Sequence, residues 1–278
     1  MTGRLFSLFV TIYALCFPLS GTTACLNSSL ADLWSLAGGT VDVTVQEAVD
    51  RGFADESAVI VDAKSGRNIN TEILIASRPD LVIGSVDTAS HVRTAELMED
   101  IGVETILVRE DSFADFQDIF RTLTEIIGRE DLYERYASGQ EAEIESIIRR
   151  CSARTEHPRV LFVRAGSAFS AVRAKRAADH FAAQMIQDLG AVNVADEYGA
   201  LTDSLSLEAL LAGDIEKIIV VPQGDEEAGR AYIQSLFSRP GWRDVDAELI
   251  FLDKELFHYK PNGRWAEAYR CMEEALYG

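Results

Sequence analysis

The apolar positions of this chain trace the same pattern twice. EILIASRPDLVIG, from Glu72, and EALLAGDIEKIIVV, from Glu208, each set a glutamate before a short helix, a polar turn and an apolar run. The helices centre on Leu74 and Leu211. The runs, Leu81 to Gly84 and Lys217 to Val221, are β-branched and bounded by turn residues, which predicts strands. A helix ending in glycine precedes each unit: Leu30, Leu33, Trp34 and Ala37 before Gly38 and Gly39, and Met185, Ile186 and Leu189 before Gly190. Helix and strand follow each unit, at 92–101 and 104–108 in the first half and at 228–237 and 248–252 in the second. Strands alternating with helices at this spacing predict an α/β fold of two related lobes, each a doubly wound parallel sheet.

Between the halves runs DLYERYASGQEAEIESIIRRCSART, Asp131 to Thr155. Leu132, Tyr136, Ile144, Ile147, Ile148 and Cys151 recur at helical spacing opposite a charged face, and only Gly139 weakens the pattern. At 1.5 Å per residue such a helix spans roughly 30 Å or more, enough for a stiff strut between lobes. The division expected is an N-terminal lobe at 25–128, a connecting helix at 129–155, a C-terminal lobe at 156–278 and a ligand cleft between the lobes. An ordinary surface helix of one large domain is the alternative.

The start of the chain changes the picture of where it works. Arg4, the apolar run Leu5 to Leu19 and the small residues Ser20 to Ala24 have the layout of a secretory signal peptide, expected over 1–24. Cys25 then becomes a candidate for lipidation, as in an exported lipoprotein, although Thr22 stands where a large aliphatic residue is usual. The expected location is periplasmic, or the cell surface if anchored. Cys16, Cys151 and Cys271 make no metal-binding spacing.

Charge narrows the partners. The 278 residues carry 26 bases against 45 acids, a formal net charge of -19, which argues against nucleic-acid binding and against adsorption to anionic lipid. Against that background the predicted strand ends, where open parallel sheets bind ligands, are locally different. Asn27, Ser28 and Ser29 follow one probable strand; Ser85, Asp87, Thr88 and His91 follow the strand at Leu81. Arg164, Arg173, Lys175, Arg176 and His180 follow a strand at 160–163, and His258, Tyr259, Lys260 and Arg264 follow the strand at 248–252. Cations gathered at two strand ends of one lobe suit an anion through charge-assisted hydrogen bonds. Arg264 lies in the first turn of the last helix, where a cation is unfavourable, so it calls for an acidic neighbour or an anionic ligand. Trp265, Tyr269, Met272 and Leu276 form the core face of that helix. There is no GxSxG, P-loop, GxGxxG or HExxH, so a binding protein is expected rather than an enzyme. Direct capture of a metal ion by His91, His180 and His258 is the second reading, and an enzyme or sensor domain of the same architecture is the third.

NSSLADLWSLAGG, ASRPDLVIGSVDTAS, AKRAADHFAAQMIQDLGAVNVAD, LSLEALLAGDIEKIIVV and LFHYKPNGRWAEAY, taken in this order, resemble the substrate-binding proteins of ABC importers whose lobes are joined by a helical backbone. That class takes up ferric siderophores, haem or cobalamin, and the iron-complex branch is the more similar. The resemblance implies no cofactor of the protein's own, a transported ferric chelate, and docking on a permease dimer through Glu72 and Glu208. It places ligand contacts at Asn27 to Ser29, Ser85 to Thr88, Arg173 to His180 and His258 to Arg264. Two departures stand out: almost nothing separates Cys25 from NSSLADLW, so either the mature N-terminus is unusually short or TTACLN is the first strand and the signal boundary is blurred, and Arg176 stands where many relatives have glycine, which restricts that loop's backbone.

Overall fold

The apolar runs become the strands of two five-stranded sheets. The computed structural model describes residues 21–203 and 205–278. The expected signal run Leu5 to Leu19, with Cys16, lies outside these residues. The first lobe contains β1 Thr23–Cys25, α1 Ser28–Leu36, β2 Val43–Val45, α2 Gln46–Asp50, β3 Val59–Asp62, α3 Thr71–Ala76, β4 Leu81–Ser85, α4 Ala89–Asp100, β5 Glu104–Val108 and α5 Phe113–Ile127. A helical segment follows: α6 Glu130–Tyr133, a π-turn Glu134–Ser138 and α7 Gly139–Ser152. The second lobe contains β6 Arg159–Ala165, β7 Val172–Ala174, α8 Phe181–Asp188, β8 Val192–Asn193, α9 Val194–Glu197, α10 Leu207–Ala212, β9 Lys217–Pro222, α11 Glu226–Phe237, β10 Glu248–Phe251, α12 Lys254–Phe257 and α13 Trp265–Tyr277.

The first sheet is parallel throughout, in the order β3-β2-β1-β4-β5. The second runs β10-β9-β6-β7 and departs from expectation at one edge. There β7 is antiparallel to β6, and β8 pairs with the start of β6 on a short parallel register. The chain leaving β6 folds straight back, with Gly166 N–H donating to Ala171 O at 3.0 Å, so no crossover helix intervenes.

The duplication is visible in the backbone. Thr23 pairs with Leu81 and Leu81 with Glu104, as Val160 pairs with Lys217 and Lys217 with Glu248. Asn70 and Ser206 cap α3 and α10, accepting from Ile73 N–H at 3.1 Å and Ala209 N–H at 3.3 Å. Arg78 and Asp214, each six residues beyond its glutamate, both adopt a left-handed conformation, with φ of 50° and 49°. The buried partner of Leu74 is Leu210; Leu211 is 52% exposed and does not centre its helix inward.

Cys25 is not placed for lipidation. It lies in β1, at the middle of the first sheet, fully buried and paired with Ile83, and Thr44 Oγ1 donates to its carbonyl at 2.8 Å. A boundary after Ala24 would cut this strand, and a lipid on the thiol would pull it out of the sheet. The small residues that look like a cleavage region also suit a strand covered on both faces: Cys25 packs to one side, Ala24 and Leu26 to the other.

The connecting segment is helical from Glu130 to Ser152, shorter than expected, and the π-turn interrupts it. The extra residue in that turn rotates the buried stripe. Tyr133 and Ala137 are the buried residues there, with Leu132 and Tyr136 partly buried and packed against the same core, while Ile144, Ile147 and Cys151 follow as the pattern requires. Cys151 and Cys271 are free thiols.

One apolar core spans both lobes. It joins Cys25, Leu33, Phe116 and Phe120 of the first to Phe162, Phe181, Trp265 and Met272 of the second, through Tyr133, Ile144 and Ile147. Trp265, 1% exposed, stands edge-on between Phe113 at 6.1 Å and Phe181 at 5.6 Å. Burying an aromatic side chain of this size is worth roughly 3 kcal/mol, so this contact is a firm joint.

The segment before α13 stitches the same joint with polar bonds. Arg51 pairs with Glu255 at 2.9 Å, Tyr259 OH donates to Glu47 Oε1 at 3.2 Å, and Asn262 Nδ2 donates to Ser29 O at 3.1 Å and Asp32 Oδ2 at 2.6 Å. The Lys260 ammonium donates to the carbonyl of Glu110 and lies 3.6 Å from Asp111 Oδ1. The Glu110 side chain is buried there, with Oε1 unpaired and Trp265 beside it without closing a hydrogen bond. Burial pushes its carboxyl up to about 8, only partly opposed by Lys260.

This group makes stability depend on pH. Unfolded, the carboxyl ionises near its ordinary 4.5; folded, it holds its proton to about pH 8. Its stabilising contribution is therefore complete below the unfolded value and is lost as pH rises through about 8. Glu110→Gln keeps the shape and removes the titration. It should gain on the order of 3 kcal/mol at pH 8.5 relative to pH 5, read by calorimetry as a melting temperature raised by roughly 5 °C at the higher pH only. Equal shifts at both pH values would contradict the assignment.

Candidate functional site

The carboxyl ends of the strands from both lobes face a cleft of about 400 Å³. The first lobe supplies Asp87 after β4 and Arg109 and Asp111 after β5. The second supplies Arg164 near the end of β6, Ala178, Asp179, His180 and Phe181 at the start of α8, and His258 and Lys260 after β10 and α12. Four expected contacts, Asp87, His180, His258 and Lys260, are thus brought together, and Arg164 of the basic segment joins them. Arg109, Asp111 and Phe181 are additions. The first two lie at the end of β5, a strand end the same reasoning could have examined.

The other expected residues are placed elsewhere. Asn27 caps α1, its Oδ1 accepting from Leu30 N–H at 2.9 Å. Ser28 is buried, donating to Glu47 Oε2 at 2.7 Å and accepting from Arg51 Nη1 at 3.0 Å. Ser85 Oγ accepts from Asp87 N–H at 3.2 Å, and Thr88 precedes α4 without capping it. Arg173 stands opposite Arg164 on β7 and donates to Val172 O at 2.8 Å; Lys175 pairs by its backbone with Phe162. Tyr259 belongs to the joint, with the Arg51 guanidinium 3.6 Å over its ring, and its hydroxyl is pushed up to about 12 by burial and by Glu47. Arg264 has the acidic neighbour its position called for: Glu267, at 2.7 Å and 2.8 Å.

The expected histidine trio does not converge. His91 is fully buried in the first lobe, accepting at Nδ1 from Ser85 N–H at 3.1 Å and donating from Nε2 to Gly66 O at 2.9 Å. Gly66, at φ +94°, makes that contact possible, because a Cβ there would lie 1.9 Å from Leu26 O. With both ring nitrogens spent, His91 has nothing to offer a metal. Among the described residues no group of three His, Cys, Asp or Glu side chains could hold a metal ion.

Charge in the cleft is uneven. Arg109 lies 3.7 Å from Asp87, Lys260 lies near Asp111, and Arg176 is paired with Asp179 at 2.8 Å. Arg164 differs. Its Nη2 donates to His258 Nδ1, its Nε is buried without a partner, and among the described residues it pairs with no carboxylate. Burial, and Arg67 nearby, lower its hold on its proton, yet a guanidinium stays charged in proteins. Burial and the surrounding cations, Arg164 foremost, bring His258 down to about 4 and hold His180 well below the usual imidazole range. The second-lobe wall therefore offers one half-buried cation without a carboxylate partner among the described residues, one ammonium and two neutral imidazoles. Such a set can accept an anion and has no nucleophile-and-base pair for catalysis.

The two expected docking residues, Glu72 and Glu208, are exposed at the starts of α3 and α10, at equivalent places in the two lobes. Beside them α3 exposes Ile73 and Ile75, and α10 exposes Leu211.

A family profile described as periplasmic binding protein matches residues 23–248. No curated protein matches the chain in sequence. Among solved structures, the periplasmic haem-binding protein RhuT from Roseiflexus sp. RS-1 superposes with a TM-score of 0.72 at 20% identity, covering 93% of this chain and 98% of that one. IsdE of S. aureus, complexed with haem, gives 0.74 at 13% identity, covering 93% and 100%. The siderophore-binding protein BauB, bound to ferric iron with two molecules of acinetobactin, gives 0.71 at 16% identity, covering 92% and 94%. With a profile that spans most of the described residues and a two-lobe fold that agrees with it, the chain belongs to the periplasmic binding protein family, extracytoplasmic solute-binding proteins that serve ABC transporter permeases and are not enzymes.

Proposed function

We propose that this protein captures an anionic iron complex, of the ferric-siderophore type, between its lobes and hands it to the permease of an ABC importer. The observation that carries the reading is Arg164, a half-buried guanidinium at the cleft whose Nε is buried without a partner and which has no carboxylate partner among the described residues. Partly desolvating a cation without its counter-ion is unfavourable, and an anionic ligand offsets that cost. Lys260 from the neighbouring strand end adds a second donor. The ferric complex bound by BauB supports an iron chelate, while the haem of IsdE and the haem-binding description of RhuT, a structure in apo form, support haem as a second reading. The shared core of the lobes supports modest closure around the ligand rather than a wide hinge motion.

For delivery, Glu72 and Glu208 present equivalent carboxylates on the two lobes, each with an exposed apolar residue one turn on, Ile75 and Leu211. Such paired patches suit two matching surfaces of a permease.

Titration with ferric dicitrate, ferric catecholates, ferric hydroxamates, haemin and cobalamin, followed by tryptophan fluorescence, tests the capture. At least one iron complex should bind at micromolar or tighter dissociation constant, and Arg164→Met should weaken it about 10- to 100-fold with unfolding little changed. Absence of binding to every complex would contradict the reading. Glu72→Ala with Glu208→Ala should abolish uptake in cells while leaving chelate affinity unchanged; a loss of affinity would refute the docking assignment.

A further inference from the structure

The cleft holds two histidines, and the structure dictates which nitrogen of each carries the proton. At His180, Nδ1 accepts from the backbone N–H of Ala182 at 3.2 Å. At His258, Nδ1 faces Arg164 Nη2, a group that only donates. A neutral imidazole that accepts at Nδ1 carries its hydrogen at Nε2. Both rings are held in place: His180 packs against Phe162 and Phe181, at 5.1 Å and 4.7 Å between centroids, and His258 stands edge-on to Tyr259 at 4.8 Å. Neither Nε2 has a hydrogen-bond partner among the described residues, and neither is sealed away.

We infer that His180 and His258 are tautomer-locked hydrogen-bond donors, aimed at acceptor oxygens of the captured complex, and that the iron is liganded by its chelator and not by the protein. This rests on the iron-complex reading above and deepens it. A nitrogen that coordinates a metal must present a lone pair, and here each lone pair is already occupied at Nδ1 while Nε2 carries hydrogen. The remaining donors are engaged as well. Asp87, Asp111 and Asp179 each lie within 4 Å of a cation, and the Tyr259 hydroxyl donates to Glu47. Tautomer exchange at His258 would set two donors against each other at the Arg164 contact. Protonation is disfavoured too, first by burial of both rings and then by the cations near them, Arg164, Lys254, Arg51 and Arg67 at His258 and Arg164, Lys260 and Lys175 at His180. Arg164 is thus a positioning residue for His258 besides being a charge for the ligand.

Long-range proton–nitrogen NMR of the full chain, ligand-free and labelled at histidine nitrogen, reads the tautomers directly at neutral pH. Both rings should appear as the neutral Nε2–H form, with His258→Gln and His180→Gln supplying the assignments. Arg164→Met should release His258 into a mixture of tautomers and leave His180 unchanged. An Nδ1–H form or an imidazolium at either ring in the wild type would overturn the inference, as would a His258 signal indifferent to Arg164→Met. Zinc(II) alone and haemin supply a second arm. Neither should show nitrogen ligation by these rings; stoichiometric zinc, or a nitrogen-ligated haem spectrum lost in His180→Gln or His258→Gln, would overturn it. Because the NMR measurement needs no ligand, the tautomer assignment stands or falls whether or not any chelate binds; failure of the chelate titration counts against the proposed function and the rings' role toward its ligand, not against the tautomers.

Discussion

The stretch from Glu255 to Trp265 is the constraint on which this architecture depends. It leaves the second lobe and is pinned to the first at Arg51, Glu47, Glu110, Ser29 and Asp32, then delivers Trp265 between Phe113 and Phe181. The seam sets the separation of the two sheets, and that separation sets the width of the cleft. Because His258 and Lys260 lie within the seam, two cleft donors are held by the same bonds that hold the lobes. The donors are therefore arranged before a ligand arrives, which spares the binding step the cost of ordering them.

The electrostatics follow from that geometry. A chain of net charge -19 concentrates cations at one cleft and then compensates most of them locally, Arg109 by Asp87 and Lys260 by Asp111. Among the described residues Arg164 is left without such a partner. Its guanidinium acts twice, as the charge an anion would meet and as the donor that fixes the His258 ring. The acidic surface elsewhere discourages adventitious polyanions, while a small anionic complex can still reach the buried charge.

Much of this was legible in the chain. The two glutamates, the short helices they open, the strands that follow and the core stripe of α13 follow from periodicity, because the rules of parallel sheets leave few alternatives. Cys25 was harder, since a run of small residues serves a signal boundary and a buried central strand equally well. The antiparallel β7 depends on a hairpin that short apolar runs do not distinguish from a crossover. At the π-turn Tyr133 and Ala137 are buried beside the expected Leu132 and Tyr136, a wider core face than a regular helical average contains. The site was read at the level of strand ends, not side chains. His91 and Ser28 have the right chemistry at the right ends, yet their polar atoms are consumed by Gly66 and Ser85, and by Glu47 and Arg51. Which polar group is spent on the fold is a matter of long-range pairing, and pattern alone does not carry it.

A fixed seam, an uncompensated cation and two oriented imidazoles are the features on which the proposed capture of an anionic complex, rather than of a metal ion, rests. The most direct measurement is a crystal structure of the protein with a ferric complex identified by titration, with iron located by anomalous scattering. The account predicts iron in the inter-lobe cleft, coordinated only by its chelator, with ligand oxygens in hydrogen-bond contact with Arg164 and with the Nε2 atoms of His180 and His258. Iron bound directly to either imidazole, or a complex seated away from Arg164, would contradict it.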